Sequence, residues 1–148
     1  MTETPPWRGF ASDNAAGAHP EILEALHRVT PGHQISYGRD DVTAALQEVI
    51  AREFGERAEV FPVFNGTGAN VVALTAAMPR WGAVIATETA HIHTDEGGAP
   101  ERVSGLKILT APSIGGKLTP EGLLSQAGGR GDEHHPQPLA VSITQSSE

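Results

Sequence analysis

An α/β fold is predicted for this chain, with a mostly parallel sheet flanked by helices. Three observations carry that prediction. From residue 59 onward, short apolar runs that read as strands alternate with helical runs. One such run, ending in Val63-Phe64, breaks at Asn65-Gly66-Thr67-Gly68 directly into a helical stretch. The length of 148 residues, 39% hydrophobic and 19% charged, suits one domain able to bury a core.

Taken in order, residues 1–18 read as an irregular N-terminal arm holding Trp7, Phe10 and Ser12-Asp13-Asn14. Residues 19–148 form the domain. A first helix opens near Pro20, a residue suited to the first turn, and Ile22, Leu23, Leu26 and Val29 fall at helical spacing. Thr30-Pro31-Gly32 ends it. The loop His33 to Asp40 is polar but carries Tyr37 and Arg39, more chemistry than a linker needs. A second helix runs from Asp41 to Phe54, with Val42, Leu46, Val49, Ile50 and Phe54 expected to face the core and Gly55 as its stop. Strands are expected over 59–64, 83–87, 106–110 and 139–144, and a helix over 68–78. Thr119-Pro120-Glu121 has a hydroxyl cap, a first-turn proline and an acid near the positive helix end, so it opens another helix. Residues 128–138 form a loop rich in Gly, His and Pro. The last strand has no covering helix after it, so the chain is expected to be the front part of a longer protein.

The totals exclude several classes of function. The formal charge is −8, from 18 acidic against 10 basic residues, and no Lys/Arg cluster appears. Nucleic acid and anionic membrane are therefore not expected partners. There is no cysteine, hence no disulfide frame and no thiolate metal site. No apolar run approaches ~20 residues, and the N-terminus has neither a basic start nor an apolar core, so a soluble, cytoplasmic protein is expected.

Two motifs carry chemistry. The turn Phe64-Asn65-Gly66-Thr67-Gly68-Ala69-Asn70 lacks the spacing of a dinucleotide or ATP loop. It reads either as an ordinary strand-to-helix turn or as a phosphate cradle, with backbone N–H groups, a hydroxyl and a positive helix end at one point. In Glu88-Thr89-Ala90-His91-Ile92-His93-Thr94-Asp95-Glu96, an extended backbone would put His91, His93 and Asp95 on one side. No third histidine is nearby, and no metal is expected. A histidine beside a phosphate cradle serves instead as an acid/base or as a ring-stacking partner. His134-His135 reads as a solvated pair in a surface loop.

Together the segments FASDNAAGAHPEILEAL, Tyr37-Gly38-Arg39-Asp40-Asp41, VFPVFNGTGAN, VIATETAHIHTDEGGAPE, GGKLTPEGL and LAVSITQSSE resemble the low-specificity L-threonine aldolases, of the aldolase and β-eliminating lyase group. They stand in that family's order and spacing from Phe10 to Glu148. The resemblance implies the N-terminal part of the large domain of a fold-type I enzyme dependent on pyridoxal 5'-phosphate. It implies that Gly66, Thr67 and Gly68 hold the cofactor phosphate, and that His91 stacks on the pyridine ring and takes part in catalysis. Ser12 resembles a serine near the substrate carboxylate, Tyr37 a residue approaching the neighbouring subunit's site, and Glu96 an acid close to the stacking histidine.

The reaction so implied is cleavage of L-threonine or L-allo-threonine to glycine and acetaldehyde, in a homodimer or homotetramer with shared active sites. The sequence departs from the family in four respects. Lys107 and Lys117 do not match the family's Schiff-base lysine, which is expected beyond residue 148 together with the aspartate facing the pyridine nitrogen and the arginines for the substrate carboxylate. A second histidine found in some relatives near Gln145-Ser146 is absent. Residues 1–148 alone are thus expected to be inactive. The alternatives are another pyridoxal-phosphate β-eliminating lyase of amino acids, or a non-catalytic phosphate-binding or interaction domain.

Overall fold

The computed structural model describes residues 15–144, and the chain divides after Pro62 into two compact units. The first unit holds α1 (Pro20–Val29) and α2 (Asp41–Phe54). Pro20 opens α1 behind His19, whose ring nitrogen accepts the Glu21 N–H, and Thr30 closes it through a hydroxyl bond to the Leu26 carbonyl. Asp40 caps α2 by accepting from both the backbone N–H of Thr43 at 2.8 Å and its hydroxyl at 2.7 Å. Gly55 ends α2 at a φ of 102°, a conformation that favours glycine.

Two expectations for this unit are corrected. The residues of α2 expected to face the core are not buried: Val42, Leu46, Val49 and Phe54 are exposed, and Ile50 is half-buried. The amphipathic pattern exists, but nothing among the described residues of this unit covers it. The strand expected over 59–64 does not form. The Gln47 side chain holds the start of this stretch, donating to the Ala58 carbonyl at 2.6 Å and accepting the Val60 N–H at 3.0 Å. Pro62 has no N–H to offer a neighbouring strand.

The second unit is the α/β part. In chain order it contains α3 (Gly66–Ala77), β1 (Gly82–Thr87), α4 (His91–Thr94), α5 (Ala99–Ser104), β2 (Lys107–Ala111), the short strands β3 (Ser113–Ile114) and β4 (Lys117–Leu118), α6 (Pro120–Ser125) and β5 (Gln137–Val141). β2, β1 and β5 form a parallel sheet in that order, with β1 at its centre. Parallel sheets need cover on both faces, and every residue of β1 is buried. Val84, Ala86, Ala90, Ile92, Leu106 and Ile108 form the core, with Leu74, Met78 and Ala140 packed against it. Pairing of β1 with β5 shifts register between Ala83 and Val84, beside Pro138, which cannot donate to the ladder. The parallel sheet flanked by helices agrees with the fold expected from the sequence.

β3 and β4 pair antiparallel around Gly115-Gly116, both at positive φ, as a two-residue hairpin requires. Thr119 caps α6 through the Gly122 N–H at 3.1 Å, as its Thr-Pro-Glu opening predicted. The loop before β5 is gathered by Gln137. Its amide oxygen accepts the Gly131 N–H, and its amide hydrogens are shared among the carbonyls of Gly129, Asp132 and His135.

Candidate functional site

The glycine turn places backbone N–H groups at the start of α3. Asn65 is extended and caps α3, its side-chain oxygen accepting the Gly68 N–H at 2.7 Å. The N–H groups of Gly66 and Thr67 precede the helix's own hydrogen-bond ladder. Helices α1, α2, α5 and α6 each carry an acid in the first turn: Glu21, Asp41, Glu101 and Glu121. α3 carries none, so its positive end has no carboxylate of its own. A Cβ on Gly66 would point into open space, which glycine leaves clear for a ligand against the backbone. A Cβ on Gly68 would stand 3.1 Å from the Phe64 ring and 3.3 Å from the capping oxygen of Asn65. Glycine at 66 keeps approach open, whereas glycine at 68 lets the cap close. This geometry fits a phosphate.

The second component follows β1. The strand ends at Thr87, the Ala90 N–H bonds to the Thr87 carbonyl at 3.1 Å, and α4 starts at His91. His91 Nδ1 lies 2.9 Å from Glu96 Oε1. The Glu96 side chain is wholly inaccessible, while that of His91 is 48% exposed. A buried carboxylate thus stands behind a half-exposed imidazole, and burial without partners would be costly for it. Asn70, from α3, supplies a second donor, its Nδ2 lying 2.6 Å from the same Oε1. The other oxygen, Oε2, is buried with no hydrogen-bond partner among the described residues. The carboxylate fixes the orientation of the ring.

Gly66, Thr67, Gly68, His91 and Glu96 therefore all belong to the second unit, and the Asn70–Glu96–His91 chain of contacts joins α3 to α4. Ser12 lies outside the described residues. Tyr37 belongs to the first unit; it is 99% exposed and, at a φ of 63°, is the one non-glycine residue in the left-handed region among those described. His91 to Thr94 are helical, so the alternation that would align His91, His93 and Asp95 does not arise. Among the described residues no three His, Asp or Glu side chains converge as metal ligands would. Lys107 pairs with Glu101 at 3.4 Å, and Lys117 lies in the β3–β4 hairpin.

Sequence reasoning missed Asn70. Its one signal was a polar side chain three residues after Thr67, on a helix otherwise made of small and apolar residues.

Comparison with known proteins shows the family. The family profile described as beta-eliminating lyase matches residues 9–148. A low specificity L-threonine aldolase of a Pseudomonas species is 46% identical over 94% of this chain and 40% of its own length. One from Pseudomonas aeruginosa is 44% identical with the same coverage. A solved structure of Leishmania major threonine aldolase superposes with a TM-score of 0.82 at 35% identity, covering 90% of this chain and 39% of that one. The chain thus spans about two-fifths of the length of the relatives it matches, and its architecture is that of part of a fold-type I enzyme. On the profile match and these likenesses, the chain belongs to the beta-eliminating lyase family.

Proposed function

We propose that the protein carrying this chain is a lyase of the threonine aldolase type, cleaving L-threonine or L-allo-threonine to glycine and acetaldehyde with pyridoxal 5'-phosphate as cofactor. The observation that carries the reading is the pairing of an uncompensated helix N-terminus with a carboxylate-oriented histidine in one unit. When bound, the cofactor supplies the electron sink for the carbon–carbon bond that breaks. Gly66 and Thr67 bind its phosphate through their N–H groups and the Thr67 hydroxyl, and Gly66 leaves room for it.

His91 would stand against the bound cofactor and take the proton of the substrate β-hydroxyl, directly or through water. Glu96 holds the imidazole in place for that transfer. Tyr37 and Ser12 serve the substrate; the exposed, left-handed Tyr37 supports its part, since strain of this kind concentrates at functional positions. Tyr37 does so in a homodimer or homotetramer with shared sites. A cytoplasmic location suits such an enzyme. Among the described residues no helix is long and apolar enough to cross a membrane.

Product analysis tests the reading. The whole protein, supplied with pyridoxal 5'-phosphate and L-threonine, is expected to release glycine and acetaldehyde in equal amounts. Release of ammonia and a keto acid instead would place it among the β-eliminating enzymes of the family. No turnover of any hydroxylated or aromatic amino acid would favour a binding domain.

A further inference from the structure

We infer that Asn70 is a positioning residue for His91, acting through Glu96. An amide nitrogen only donates, so Glu96 Oε1 meets Asn70 Nδ2 with a lone pair across 2.6 Å. The same oxygen meets His91 Nδ1 at 2.9 Å, and a carboxylate only accepts, so Nδ1 carries the proton there. The neutral ring then has its lone pair on Nε2. Both donors act on Oε1, while Oε2 is buried and has no partner among the described residues. The carboxylate is thus fastened at one oxygen only. Without Asn70 it can turn the other oxygen toward the ring or away from it, and the inaccessible side chain leaves no solvent to replace the lost donor.

Asn70 stands three residues after Thr67, on the same face of α3. The helix end that presents the anion turn therefore also sets the histidine tautomer, and the two halves of the site are held by one rigid element. The catalytic meaning of this device rests on the aldolase reading above, but the tautomer itself does not.

Nitrogen NMR of the His91 ring in the whole protein, without cofactor or amino acid and at a pH where the ring is neutral, reads which nitrogen bears the proton. His91→Asn assigns the signals. The parent is expected to show the Nδ1–H form in excess. Asn70→Ala, and Asn70→Leu with a similar branched shape but no donor, are expected to lower the ratio of Nδ1–H to Nε2–H about fivefold, the effect of losing one hydrogen bond of this kind. If Asn70→Ala does not fold, Asn70→Leu decides. An excess of Nε2–H in the parent, or the parent's ratio in a folded Asn70→Leu protein, overturns the inference. A parent with the expected tautomer that cleaves no threonine would end the aldolase reading and leave the positioning role standing.

Discussion

Glu96 and Glu101 are both acids near a histidine loop, yet their surroundings give them different work. Glu96 is sealed from solvent and bonded to Asn70 and His91, so removing it takes away an acceptor that both use. Glu96→Ala is expected to destabilise the fold by about 1–3 kcal/mol, the usual cost of unpairing buried polar groups, measurable by denaturant unfolding. Glu101 is partly exposed, and the Ile108 N–H, then the Lys107 ammonium, hold its carboxyl below the usual glutamate range against the opposing effect of burial. A carboxyl lowered on folding contributes stability above its unfolded value, about pH 4.3, and loses it as the pH falls through the lower folded value. Glu101→Gln is therefore expected to flatten the loss of stability between about pH 5 and pH 3, and an unchanged acid profile would refute that assignment. At this scale the resemblance singled out His91 and Glu96. Asn70 was not legible, because a hydrogen bond across 26 residues leaves no local pattern.

The elements whose ends have a chemical cause were the readable ones. Thr119 before α6 is a side-chain cap that bonds as its sequence signal implies, and Asp40 caps α2 in the same way. Asn65→Ala, removing the cap of α3, is expected to cost about 1 kcal/mol of stability and to leave the Gly68 N–H unpaired, which amide exchange would detect as faster exchange at Gly68. Gly122→Ala would place a Cβ 2.6 Å from the Pro112 carbonyl oxygen, a contact with backbone that cannot swing aside. The expected cost is about 1–3 kcal/mol by thermal or denaturant unfolding.

Other elements depended on partners that a linear pattern does not show. The 59–64 run had strand composition, but Gln47 holds the Ala58 carbonyl and the Val60 N–H at its start, and Pro62 has no N–H to pair. The His91 segment turned helical and so lost the alternation that an extended reading assumed. The Gly115-Gly116 hairpin carried a legible turn signal, but its strands are only two residues each, too short for periodicity to register.

For the molecule as a whole, the central parallel strand was the most legible feature. Its run of small and β-branched residues, Ala83-Val84-Ile85-Ala86, is what a strand covered on both faces needs. The apolar stripes of α1 and α2 were also legible as patterns, but a stripe does not name its cover, and among the described residues of their unit neither stripe is buried.

On the proposed function, this chain contributes a phosphate-binding helix end and the histidine that acts on the substrate. The rate of acetaldehyde release from L-threonine by the whole protein with pyridoxal 5'-phosphate, compared between the parent and His91→Asn, tests it most directly. A fall of about 10²–10⁴-fold is expected, the contribution of a positioned acid/base. An unchanged rate in a folded, cofactor-loaded His91→Asn protein would contradict it.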